Sequence, residues 1–116
     1  MKVETDEGIV GWGDANCGPM AVASLVEELG LLIVGEDPYA IELHWQTMHN
    51  RHFARGGPTQ NSAAAGIEMA LWDIKGTALG VPVYELLGGK IRDQIWVYSR
   101  WDGATPSRRS RLRKVM

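Results

Sequence analysis

The stretch SAAAGIEMALWDIKGTALGVPVYELLGG, running from Ser62 to Gly89, decides the fold. Its first part repeats apolar residues with a helical period, so that Ala64, Ile67, Ala70, Leu71, Ile74 and Ala78 share one continuous face. Asn61 or Ser62 is placed to cap this helix. Gly80 is placed to stop it, because glycine enters the left-handed conformation without a Cβ clash. The small residues Ala63 to Gly66 permit close approach of a neighbouring element. Pro82 then opens a short helical turn through Leu87, which Gly88-Gly89 ends.

Working outward, the first fourteen residues read as two short strands. Val3 and Thr5 alternate with charged neighbours, Asp6-Glu7-Gly8 has turn chemistry, and Ile9 to Gly13 resume extended structure. Gly18-Pro19 breaks the strand pattern, and Val22, Leu25, Val26 and Leu29 follow at helical spacing up to Gly30. Asp37-Pro38 predicts the cap and first position of a second helix carrying Ile41, His44, Trp45 and Met48 on one stripe. Residues 49–61, HNRHFARGGPTQN, have no apolar period and read as an exposed loop. Gln94 to Ser99 reads as a strand. The final residues 104–116, ATPSRRSRLRKVM, change composition abruptly, with five basic residues and no acid. This order of elements predicts a small α+β domain with something beginning at its end.

Composition narrows the functional classes. The chain has 116 residues, 45% hydrophobic and 22% charged, which is ordinary for a globular domain and argues against disorder. A formal net charge of −2 gives no reason to expect nucleic acid or an anionic membrane as partner. The apolar run around Leu29 to Val34 is far short of the about 20 residues that a bilayer span needs. The polar start MKVETDEGIVGWG has no apolar signal core, so a cytoplasmic location is expected. The single cysteine, Cys17, cannot form an internal disulfide, and without a nearby histidine it reads as an inert thiol.

Three groups of residues invite a chemical reading. His44, His49 and His52 lie close in sequence, yet no Asp, Glu or Cys stands at a zinc-like interval beside them. His44 shares its stripe with Trp45 and Ile41 and reads as a packed structural residue, whereas His49 and His52 are open to either a solvated or a ligand-facing role. Arg51 and Arg55, with the Gly56-Gly57-Pro58 turn, make a cationic loop whose guanidinium forks suit a carboxylate, although by spacing alone plain solvation is the simpler account of both. Glu68, Asp73 and Lys75 look like a catalytic cluster but are explained by a polar helix face. Gly88-Gly89-Lys90 lacks the rest of a phosphate-binding loop.

The segment Ser62 to Tyr98 resembles the signature of the mandelate racemase/muconate lactonizing family of the enolase superfamily. Ala63, Ile67, Ala70, Leu71, Trp72, Asp73, Ile74, Gly76, Gly80, Pro82 and Leu86 to Gly89 match without a gap. VETDEGIVGWGDA resembles the family's strand hairpin, and the likeness extends over about residues 2–103. HWQTMHNRHFARGGP is similar to the sugar-acid dehydratases. Arg100 stands where mannonate-type members tend to carry histidine, which leaves galactonate or gluconate dehydration ahead.

The resemblance implies a capping domain over residues 1–92 that lacks its first strand, then the first strand of a truncated TIM barrel at 93–103, and a basic tail at 104–116 that fits poorly where a barrel helix should start. It implies a Mg²⁺-dependent lyase that removes a proton beside a carboxylate and then eliminates water, with a small sugar acid as partner and homo-oligomers among complete members. It places the metal ligands and bases on later barrel strands, so this chain supplies none and is expected to be inactive alone. The loop contributes Arg55, and less strongly His52 and Phe53, as substrate contacts. A racemase or cycloisomerase of the same family, or a non-catalytic binding module using the same cap, are the alternative readings.

Overall fold

A computed structural model describes residues 1–53 and 56–98. Strand β1 (Lys2–Glu4) pairs antiparallel with β2 (Val10–Trp12), with Val3 opposite Gly11. The turn between them closes with the Gly8 amide on the Thr5 carbonyl, and the Thr5 hydroxyl accepts the Ile9 amide at 3.0 Å. Helices follow at Pro19–Gly30 (α1), Ile41–Asn50 (α2), Pro58–Leu79 (α3) and Val83–Leu86 (α4). The protein is thus a small α+β domain, as the sequence pattern predicts, with a short antiparallel sheet layered on helices.

Helix α3 is the axis of the domain and touches every other element. Its buried apolar face comprises Ala63, Ala64, Ile67, Ala70, Leu71 and Ile74, five of which belong to the apolar period read from the sequence; Ala78, the last member of that period, is exposed near the end of the helix. Leu29 from α1 and Met48 from α2 lie fully buried beside Ile67 and Ile74. Burying each such side chain contributes about 1.5–3 kcal/mol. Gly80 ends α3 in the left-handed region at φ 67°, as expected.

Two helix starts differ from expectation. Asp37 does not cap α2; its carboxylate accepts the Tyr39 amide at 2.9 Å and its carbonyl accepts the Ala40 amide at 3.2 Å. These bonds close a tight turn ahead of the helix, which begins at Ile41 after a non-helical Ala40. Helix α3 begins four residues before Ser62, because Pro58 occupies the first helical position and Gly57 turns the chain into it at φ 98°. The Ser62 hydroxyl is thereby free for a tertiary role. It accepts the Asn16 amide at 2.6 Å and donates to the Asn16 carbonyl at 2.8 Å, tying the end of the hairpin to α3.

The strand predicted over Gln94–Ser99 is not formed where it is described. Residues 94–98 belong to no ladder, and β1–β2 is the one sheet among the described residues. A strand needs a neighbour for its amides and carbonyls, and no extended segment of the described chain lies alongside this one. The rest of the 93–103 segment past Tyr98, together with the tail at 104–116, lies outside the described residues.

The hairpin sits on α3 at backbone contact distance. A Cβ built on Gly11 would stand 2.1 Å from the Ala70 carbonyl oxygen, and one on Gly13 would stand 1.8 Å from that of Gly66. Gly13→Ala is therefore expected to destabilise the domain by at least about 2 kcal/mol, because backbone must move. Gly30→Ala meets open space at a right-handed position and should be neutral or stabilising by up to about 1 kcal/mol. Denaturant melts of the two variants beside the parent chain check both.

Candidate functional site

The loop between α2 and α3 is shorter than its composition suggests, spanning residues 51–57. Two anchors set where it emerges. His44 is buried, and its Nε2–H donates to the Asp37 carbonyl at 2.7 Å, which docks α2 against the preceding turn. A carbonyl only accepts, so this bond places a proton on Nε2. His44 is the structural residue expected from its stripe. His49 lies one turn along from Trp45 and stacks on its ring, with centroids 4.8 Å apart and planes within 7°.

The candidate residues of the loop separate into different environments. His52 is partly exposed, and its Nε2 lies 3.7 Å from the Glu28 carboxylate of α1. That separation exceeds a hydrogen bond, and the buried Nε2 has no hydrogen-bond partner among the described residues. Phe53 is fully exposed. Arg55 lies outside the described residues. Gln60, in the first turn of α3, is buried with its Nε2 unpaired among the described residues. Sequence reading missed this amide, because nothing in TQN distinguishes a buried glutamine from a solvated one.

Arg51 and the amino end of a 22-residue helix give the loop a cationic setting suited to a carboxylate, with Glu28 as the opposing charge.

The polar cluster on α3 has structural employment instead. Asp73 accepts the Trp12 backbone amide at 2.9 Å and so satisfies the outer edge of β2. The Trp72 indole N–H donates to Glu68 at 3.3 Å, and the Lys75 ammonium stands 5.6 Å from the Trp72 ring centre. These contacts account for Glu68, Asp73 and Lys75 without chemistry. Cys17 is exposed in the turn before α1, at φ 70°. No group of three or more His, Cys, Asp or Glu side chains among the described residues is arranged to hold a metal ion, so these residues do not fit the Mg²⁺ that the family resemblance implies. No helix among them is long and apolar enough to cross a membrane. A hollow of about 630 Å³ lies away from the loop, between β1 and the carboxyl end of α1.

Residues 1–88 match the model of the mandelate racemase/muconate lactonizing enzyme N-terminal domain. The chain belongs to this family. It is 53% identical over 109 residues to D-galactonate dehydratase of Variovorax paradoxus, covering 92% of this chain and 28% of that protein. It is 56% identical over 105 residues to D-galactonate dehydratase of Xanthomonas campestris, covering 89% and 27%. Among solved structures, an enolase from Pantoea ananatis with bound D-gluconate and Mg aligns with a TM-score of 0.75 and 48% identity, over 81% of this chain and 24% of that one. An enolase-superfamily member from Salmonella Typhimurium aligns with a TM-score of 0.76 and 42% identity, over 81% and 26%. The chain thus spans little more than a quarter of the length of the curated relatives it matches.

For this family member, Asp73 is the residue whose apparent chemistry is most clearly architectural. Asp73→Ala should cost about 1–2 kcal/mol by orphaning the Trp12 amide, and Asp73→Asn should recover most of that, since its amide oxygen still accepts. Thermal melts of the two variants separate the hydrogen bond from the charge.

Proposed function

We propose that this chain is the substrate-covering cap of a Mg²⁺-dependent sugar-acid dehydratase of the galactonate or gluconate type. The observation that carries this reading is identity above 50% to D-galactonate dehydratases across about nine-tenths of the chain. The Pantoea relative, with gluconate and Mg bound, supports the same substrate class and metal. The reaction is removal of a proton from the carbon beside the carboxylate, followed by loss of the β-hydroxyl as water. The described residues hold neither a metal-ligand cluster nor a placed base, so the cap's share is to cover the acid and exclude water.

Within the cap, Arg55 is proposed to pair with the substrate carboxylate, with His52 and Phe53 as lesser contacts. The cationic loop at the amino end of α3 supports this assignment for a carboxylate ligand. The His52 ring already faces Glu28, which makes it the weaker of the two polar candidates. A loop carried on a rigid scaffold is a common location for such residues.

Grafting tests the reading. Residues 1–92 of this chain are exchanged for the matching segment of the Variovorax D-galactonate dehydratase, and dehydration of D-galactonate is followed with Mg²⁺ present. The chimera is expected to turn over, and a folded chimera without activity would sink the proposal. Arg55→Ala in the chimera should raise KM at least about tenfold, the loss expected for one charge-assisted contact. The 116-residue chain alone, offered Mg²⁺ and a panel of sugar acids, is expected to show no turnover.

A further inference from the structure

The start of the loop after α2 has a single inward-turned residue. Between the end of α2 at Asn50 and Phe53, Arg51 and Phe53 are exposed, and only His52 is partly buried. Its Nε2 is closed off from solvent and has no hydrogen-bond partner among the described residues. A polar nitrogen in that state is costly to leave unpaired. The acceptor at hand is the Glu28 carboxylate, 3.7 Å away and the one acid of the described residues within ion-pair range. That gap only slightly exceeds a hydrogen bond, and a small rotation of either side chain closes it.

Glu28 stands on a fixed platform. It lies in the last turn of α1, next to Leu29, which is fully buried in the core. The partial negative charge at a helix's carboxyl end favours a donor or a cation there, as the carboxylate itself does. His52 follows α2, whose Met48 is fully buried in the same core. A proton on Nε2 lets the ring donate to the carboxylate, and a second proton on Nδ1 adds the attraction of opposite charges. The pair therefore joins α1 to a stretch of chain that its exposed neighbours do little to hold. Holding His52 also sets the direction in which Arg51 and Phe53 are presented to solvent.

We propose that Glu28 is a positioning residue for the substrate loop: it takes the His52 ring as a latch and so fixes the start of the loop against α1. The inference rests on the reading of this loop as the cover of a sugar acid, and adds to it a residue of α1 that does not itself reach the acid. An exposed pair of this kind contributes modestly to overall stability, but a short stretch with one anchor needs little more.

Backbone 15N relaxation of the full 116-residue chain reads the latch without substrate. The His52 and Phe53 amides are expected near the order parameter of about 0.85 typical of rigid backbone, and Glu28→Ala should lower them to about 0.6 or less. His52→Ala should do the same to Phe53, and the double variant should do no more than either alone. Reversing the pair, with Glu28→Lys and His52→Glu together, should recover the order, which a loss of packing would not allow. Unchanged order in Glu28→Ala overturns the proposal, as does additive loss in the double variant. In the grafted chimera, Glu28→Ala should raise KM about threefold at unchanged kcat. An active chimera whose KM ignores Glu28 also overturns the positioning role. A folded parent chimera without activity strikes the substrate reading instead, and the relaxation data then decide the latch alone.

Discussion

Helix α3 and the β2 arm of the hairpin meet at backbone distance, Gly11 against Ala70 and Ile74 and Gly13, just past the strand, against Gly66. Everything else in the domain is arranged around that contact. A methyl group at either strand glycine would overlap a helix carbonyl, so the separation of sheet and helix is set by the backbone itself. At that range Asp73 reaches the Trp12 amide and Ser62 reaches both backbone groups of Asn16. These polar bonds span 61 and 46 residues of chain and act as pins at the two ends of the seam.

The close seam on one side of α3 leaves the other flanks to larger side chains. Leu29 and Met48 fill the space against Ile67 and Ile74, which seats α1 and α2. Because His44 ties α2 to the Asp37 turn, the chain leaves α2 at a fixed place and must reverse within seven residues to enter α3. The candidate substrate loop is therefore carried between two helices that both pack into the core. A functional loop can vary there without disturbing the fold. The same geometry lets Asp73 take the outward amide of Trp12 on β2.

Much of this architecture was legible in the residues from Ser62 to Gly89. Their apolar period predicted the face that α3 buries, and Gly80 predicted its end, because both depend on local geometry alone. The small residues Ala63 to Gly66 signalled close packing, and Gly66 proved to lie under the hairpin. Polar residues were read less well. Asp37 resembled a helix cap and makes a turn instead, and Ser62 resembled a cap and joins two distant segments. Short polar side chains serve caps, turns and tertiary bridges with equal ease, so sequence alone does not choose among them. Of the site residues, His44 was recognised as structural, whereas the nearness of His52 to Glu28 and the burial of Gln60 had no local signal.

The sequence by itself determined the helices, the hairpin and the membership of the family, since each is written in spacing and in residues that admit few backbone conformations. Tertiary structure alone decided which partner each polar group takes: Asp73 for the edge of β2, Ser62 for Asn16, His44 for the Asp37 carbonyl. It also decided that Gln94 to Tyr98, strand-like in composition, forms no strand among the described residues. The physical reason is common to both. Helical bonds close within four residues of chain, whereas a strand and a buried polar group are satisfied only by a neighbour that the fold brings to them.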